Sequence, residues 1–274
     1  MNLALGIVAV LLAVVVSVTA VLFVRRRAPE GGYFEAGDRA AGVFGVLATG
    51  FAIFAGFVIF LAFTSYDLSR TGAEAEALVV VQQWETAQFL PASVRDRLSG
   101  ELVCYARTVV HREWPEMENG ASRDTLNPWS VALFGTLQQA KPTSATEQSN
   151  YDKWLDQTSE REEARRDRIH GAAGIIPFPI WLVLFLTASV IFVFMLFFAD
   201  SAERAVSQGM LIGSATAVVV TTLLAIYALD NPYRPGPGSL QPQAMERSLV
   251  LLEEARAAVN DTSEPPCDDD GVAR

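Results

Sequence analysis

"TGFAIFAGFVIFLAF", residues 49–63, sets a phenylalanine at every third position from Phe51 to Phe63 and threads glycine and alanine between them. The run closes a longer uncharged stretch, about residues 40–63. At about 1.5 Å per residue, a helix of that length crosses a hydrocarbon layer about 30 Å thick. A strand is excluded, because a lone segment in lipid satisfies its own backbone groups only as a helix. Three further stretches share this character, at about residues 3–24, 174–199 and 208–229. Hydrophobic residues make up 51% of the chain and charged ones 19%, and the two are sharply segregated. The sequence therefore predicts an all-α, multi-pass protein of the cell membrane, with the lipid bilayer as its first partner. The first stretch reads as a retained span, because Arg25, Arg26 and Arg27 follow the apolar run instead of preceding it as in a signal peptide.

The spans divide the chain. Residues 1–63 form one transmembrane hairpin, 64–170 a helical soluble domain, and 171–230 a second hairpin. Residues 231–260 read as a turn followed by an amphipathic helix, and 261–274 as a disordered acidic tail.

On a helical wheel a three-residue step turns a side chain by about 300°, so the phenylalanines of 51–63 spiral and do not share one face. The small residues do align: Ala41, Gly45, Ala48, Thr49, Ala52 and Gly56 fall within a sector of about 100°. Helices in lipid associate by close backbone approach, so this ridge is expected to be a helix-packing surface. Phe44, Phe51 and Phe54 lie roughly opposite, turned to lipid, to another subunit, or to an axis where copies of the helix meet. In the last case Phe51, Phe54 and Phe57 are pore-lining candidates, since a ring of phenyl groups makes a dry constriction that gates by dewetting.

The domain between the spans reads as helical. Ala73, Ala77, Val80, Val81 and Trp84 recur at helical spacing, with Glu74, Glu76 and Glu85 largely off that stripe. A second helix carries Val94, Leu98, Leu102, Tyr105 and Val109 and is expected to stop at Pro115. A third opens after Asn127 and Pro128. The fourth, "YDKWLDQTSEREEARRDRIH", is charged on most faces and reads as solvated, with only Tyr151, Trp154, Leu155 and Ile169 expected inside.

Several function classes fall away. A net charge of −10 with interleaved signs argues against nucleic acid. His111 and His170 lack the partner spacing of a metal or catalytic site, and Glu74 and Glu76 project to different faces of their helix. An enzyme is not expected, nor is a metal or cofactor. Cys104 and Cys267 are too distant to read as a disulfide framework or as metal ligands, and neither is assigned.

Motif order adds a further clue. "RRR" ends the first span and "LAF" the second; "YARTVVHREWPEMENG" lies in mid-domain, "ARRDRIHGAAGIIPFPIW" enters the third span, and "LDNPYRPGPG" closes the fourth. From about Leu22 to Ala244 this order resembles the bacterial bestrophin-like family of four-span membrane proteins. Most of its specificity lies in Glu113, Trp114 and Pro115 and in Asp230, Asn231 and Pro232. The family's usual "NPF-x-G" ending stands here as "NPYRPG". The resemblance implies a homo-oligomer, a pentamer by analogy with true bestrophins, around an anion-selective pore walled by the second span. Residue chemistry alone gives the motifs quieter roles. Glu113 is expected to accept a bond from Arg107 or Arg112, and Asp230 and Asn231 to satisfy backbone groups freed by Pro232.

Orientation has two readings. Arg25, Arg26, Arg27, Arg39 and Arg204 lie on one side, while Arg70, Arg161, Arg165, Arg166, Arg168, Arg234 and Arg247 lie near the spans on the other. The arginines directly after the first span argue for an external soluble domain, whereas the family resemblance implies an internal one. Two functions compete as well. One is an oligomeric channel passing small anions through a hydrophobic constriction; the alternative is a non-conducting scaffold or sensor whose soluble domain binds a protein partner.

Overall fold

A computed structural model describes residues 3–34, 36–121 and 126–274. Among these the ordered elements are helical. They are α1 (Leu3–Arg25), α2 (Gly37–Ala87), α3 (Ala92–Thr108), a π-helical turn (Val109–Glu113), α4 (Trp114–Glu118), α5 (Pro128–Leu137), α6 (Ala145–His170), α7 (Phe178–Phe197), α8 (Ala205–Asp230) and α9 (Gln243–Ala258). The chain divides into two compact units. One comprises Met1–Thr64, Ile175–Asp230 and Pro235–Pro237; the other comprises Ser65–Gly174, Asn231–Arg234 and Gly238–Arg274.

The first unit holds the spans. Helices α1, α7 and α8 have 23, 20 and 26 residues, enough to cross a bilayer. The amino-terminal half of α2 makes the fourth crossing. Close approach is achieved by glycine, but on a different helix from the one the sequence singles out. A Cβ at Gly213 of α8 would lie 3.3 Å from Val14 of α1, and one at Gly209 would lie 3.5 Å from Val18. Without those methyl groups the two backbones approach closely, the main source of helix association in lipid. The core of the unit is Val21, Phe51, Ala55, Val58, Leu184, Ile191, Met195, Ile212 and Ile226.

The second unit is a helical domain centred on α3. Leu98, Leu102, Val103, Cys104, Tyr105 and Ala106 are wholly buried, surrounded by Trp84, Trp129, Leu133, Trp154, Met245 and Leu252 of neighbouring elements. Helix α2 continues without a break to Ala87, because no proline or glycine interrupts the stretch from Thr64 to Arg70. Pro115 does not stop the helix that precedes it. Proline supplies no N–H to the preceding turn, and the backbone widens into the π-helical turn Val109–Glu113 and resumes as α4 with Pro115 near its start. Asn127 caps α5, its side chain accepting from the Trp129 N–H at 2.9 Å.

Two expectations are overturned here. Helix α6 begins earlier, at a capping box formed by Ser144 and Glu147, and its charges are not all solvated: Asp152, Lys153, Asp156, Glu160, Glu163 and Arg166 are exposed, but three arginines are not. Arg161, Arg165 and Arg168 are buried with Trp154 and Ala164, whereas Leu155 is exposed. The acidic tail is not disordered. Cys267 is fully buried and bonded to Cys104, 163 residues away in sequence, with Cα atoms 5.8 Å apart. Gly271 lies against Thr108: its carbonyl accepts from Thr108 Oγ1 at 3.1 Å and from Trp129 Nε1 at 2.8 Å. Amphipathic α9 packs on the same unit through Met245, Ser248 and Leu252, with Ser248 Oγ donating to the Ala77 carbonyl at 2.8 Å.

Candidate functional site

Within the membrane unit α2 presents two unlike faces. Phe51, Ala55 and Val58 point into the unit's own interior, and Phe44, Leu47, Phe54 and Ile59 pack half-buried beside them. The Phe44 ring lies 6.0 Å from that of Phe194 and 5.7 Å from that of Phe198. Of the three pore-lining candidates, Phe51 and Phe54 therefore belong to the protomer's own packing. Only Phe57 stays on the open side, 66% exposed.

That open side also carries Val46, Ile53 and Phe60, at 74%, 57% and 66% exposure. From Val46 the steps to Ile53, Phe57 and Phe60 are seven, four and three residues, one stripe of a helix. The small ridge flanks it. Ala41, Gly45, Thr49, Ala52 and Gly56 are all exposed, and a Cβ added at Gly45 or Gly56 would meet nothing within 4 Å. Among the described residues of one protomer the ridge is left open, as a packing surface for another copy would be. It borders an apolar groove of about 550 Å³ whose walls include Ala48, Ala52, Ile191, Met195, Val218 and Thr222.

The helical unit holds a second constellation, which the sequence reading missed. The Arg168 guanidinium reaches both oxygens of Glu76, Nε to Oε2 and Nη2 to Oε1, the latter at 3.1 Å, and meets Glu113 Oε2 at 2.5 Å. Glu113 Oε1 also accepts from Arg165 Nη2 at 3.1 Å and from Asn127 Nδ2 at 2.9 Å. Tyr105 Oη donates to Glu76 Oε1 at 2.5 Å, its ring lying 4.8 Å from the Arg161 guanidinium, and Arg161 in turn donates to Gln83 Oε1 at 2.7 Å. Glu113 thus pairs with arginines of α6, not with Arg107 or Arg112. Arg107 is engaged elsewhere, on Glu253 at 3.1 Å and on the Asp268 carbonyl at 3.2 Å.

Electrostatics follow from this geometry. Burial pushes the Glu113 carboxyl up, but Arg168 and Arg165 outweigh it and hold the group below the usual glutamate range. Burial works against the charge on Arg168, yet Glu76 and Glu113 more than offset it and keep the guanidinium firmly protonated. Burial and then the Glu76 charge drive the Tyr105 phenol well above its ordinary value. The assembly is a locked ionic clamp with its charges compensated, not a reactive pair poised near neutrality.

Both sequence motifs gain structural roles. Trp114 is buried, with its ring edge-on to Tyr233 at 5.3 Å and its Nε1 donating to the Leu240 carbonyl at 3.4 Å. Tyr233 Oη donates to the Arg168 carbonyl, and Pro232 lies where a Cβ on Gly171 would come within 3.1 Å. The "EWP" and "NPY" stretches therefore meet at the carboxyl-terminal end of α6. Asp230, in the membrane unit, caps a different segment from the one expected. Its Oδ1 accepts from the N–H groups of Ile175 and Ile176 at 2.8 and 2.9 Å, just before α7. Only the spacing of Trp154, Arg161, Arg165 and Arg168, at seven-, four- and three-residue steps, signals the buried charged side of α6 in the sequence.

The membrane unit thus holds four spans, the second of which runs on into the helical unit. Residues 11–245 match the Bestrophin-like domain, and the chain belongs to that family. Among solved structures, a point mutant of a bacterial bestrophin homologue from Klebsiella pneumoniae superposes with a TM-score of 0.68, covering 90% of this chain and 99% of its own at 15% identity. The homologue from the same organism determined by Zn-SAD phasing gives 0.65, with 90% and 98% covered at 16% identity. A membrane protein bearing a glycine-to-alanine substitution gives 0.66, with 95% and 99% covered at 16% identity. At these identities the likeness shows the fold. No curated relative matches the chain in sequence.

Proposed function

We propose that the protein assembles as a homo-oligomer around a central pore through which small anions pass, with α2 as the pore wall. The observation that carries this reading is the open stripe of α2. Val46, Ile53, Phe57 and Phe60 are aligned, uncharged and without cover in the protomer, on a helix whose opposite side is packed into the core. Neighbouring copies seated against the small ridge and the groove beside it bring these stripes to a common axis. A pentamer, as in true bestrophins, accommodates such an axis. The constriction then consists of Ile53, Phe57 and Phe60, with Phe51 and Phe54 bracing the wall from behind. A ring of such side chains is dry and is crossed most readily by ions that shed water easily, and the positive edges of phenyl rings favour anions among them.

The scaffold reading draws no comparable support. The amphipathic helix that would have offered itself to a protein partner is α9, and its apolar face is covered by the protein's own helical unit.

Flux of chloride from liposomes containing the purified protein tests the proposal. Ile53→Ala, Phe57→Ala and Phe60→Ala are expected to raise flux severalfold by widening the constriction. Absence of flux in the wild-type protein, or flux unchanged by all three substitutions, would remove α2 from the pore.

A further inference from the structure

The carboxyl-terminal tail is held by more than contact. Cys267 and Cys104 are joined in the interior of the helical unit, and the segment around them folds back on itself, Cys267 pairing antiparallel with Ala273. Apart from Cys267 and Val272, the stretch "SEPPCDDDGVAR" offers little apolar surface with which to hold itself down. Disulfides of this structural kind persist in oxidising compartments, whereas the glutathione and thioredoxin systems of the cytosol keep thiols reduced.

A second observation bears on the same question independently. Basic residues set membrane orientation mainly through short loops, and loops longer than about 60 residues translocate largely regardless of charge. The helical unit is such a long segment, so its arginines far from the spans carry little weight, and only those within about 15–20 residues of a span count against the short connections. The short connections give the clearer signal: α1 to α2 carries Arg25, Arg26, Arg27 and Arg39, three of them directly after the first span, and α7 to α8 carries Arg204. These two connections lie together at one end of the membrane unit. Arg25 Nη2 donates to the carbonyls of Ser201, at 3.0 Å, and Glu203, and the Gly31 N–H donates to Asp200 Oδ1 at 3.0 Å.

We propose that the two arginine-bearing connections face the cytoplasm and that the helical unit, with its disulfide-latched tail, lies on the opposite, oxidising face of the membrane. This is the reverse of the side implied by family resemblance. It does not rest on conduction, and a failed flux measurement leaves it standing. The helical unit that contains the ionic clamp, α9 and the latched tail then lies in the external compartment.

Reporter fusions to the full chain in a bacterial host test the sidedness. Alkaline phosphatase, active only after export, is expected to be active when fused after Arg274 and silent when inserted at Ser201. A green fluorescent protein, which fluoresces only when folded in the cytoplasm, is expected to show the opposite pattern. The latch is read in the unfused protein by acid-quenching cells and alkylating the denatured chain with a maleimide polymer. No mass step is expected without prior reduction, and two steps after it. A fluorescent fusion after Arg274 with a silent phosphatase there, or two thiols free before reduction, overturns the proposal.

Discussion

Arg168 and Glu76, 92 residues apart in sequence, meet side by side with both side chains essentially out of solvent. Glu113 and Tyr105 complete the arrangement, so each charge faces an opposite charge or a hydroxyl donor. Two backbones make room for it. At Gly72 of α2 a Cβ would come within 2.5 Å of the Arg168 N, 2.7 Å of the Asp167 Cβ and 2.8 Å of the Ala164 carbonyl oxygen, so α2 can meet the α6 backbone there only as glycine. Removing one partner strands the other in a medium that solvates it poorly. Arg168→Met is expected to destabilise the helical unit by about 3–5 kcal/mol, and Arg168→Met with Glu76→Met by clearly less than the sum of the two single changes. Thermal unfolding of the four proteins of this cycle, in detergent, measures both.

Acid tests the clamp in a second way. The Glu113 pKa is lowered in the folded state, so its contribution is fully present above the ordinary glutamate range and is lost as pH falls through the folded value. Glu101 has the opposite sign. Burial raises its pKa despite the Thr136 hydrogen bond and Arg97, so protonation on mild acidification relieves a cost. Unfolding temperature is therefore expected to hold on modest acidification from neutrality and to fall below about pH 4.5, the drop being smaller in Glu113→Gln, which has no carboxylate to protonate there.

Uncharged length made the four spans legible, and helical periodicity in residues 73–84 and 94–109 did the same for the domain between them. The limits were physical. A helical wheel divides α2 into two faces but cannot say which one the rest of the chain covers, because alanine and phenylalanine both pack well in lipid. Charges on α6 read as solvated because their partners, Glu76 and Glu113, come from distant segments. The tail looked unable to fold because its composition is polar; its order comes from one covalent bond to Cys104 and a seat on Thr108, neither of which leaves a local pattern.

That seat admits only glycine. Gly271 has φ of +78°, and a Cβ there would stand 2.6 Å from the Thr108 backbone nitrogen. Gly271→Ala is expected to unseat residues 268–274 while leaving the helices intact, at a cost above about 1 kcal/mol. Limited proteolysis is the readout: cleavage beyond Cys267 should rise severalfold in the variant with helical content by circular dichroism unchanged.

Asp230 makes a comparable local commitment in the membrane unit. Its carboxylate satisfies two backbone N–H groups ahead of α7, which Pro177 and Pro179 leave with few donors of its own in the first turn. Asp230→Ala leaves those groups unpaired and is expected to cost about 1–3 kcal/mol. Asp230→Asn keeps an acceptor oxygen and is expected to lose less. Unfolding temperatures of the two variants in detergent give the ranking.

The orientation of α2 can be tested without measuring transport. Phe51 is 8% exposed and packs with Ala55, Val58 and Ile191, whereas Phe57, fewer than two turns away, is 66% exposed. Truncating a buried phenylalanine leaves a cavity and costs about 3–5 kcal/mol, while a change at an open site stays within about 0.5 kcal/mol. In a detergent that dissociates the assembly, Phe51→Ala is therefore expected to lower the unfolding temperature of the protomer sharply and Phe57→Ala hardly at all. In a detergent that preserves the assembly, Phe57→Ala acquires an effect only where neighbouring stripes meet. A protomer destabilised more by Phe57→Ala than by Phe51→Ala would mean that α2 is turned the other way, with Phe51 and not Phe57 available to the axis.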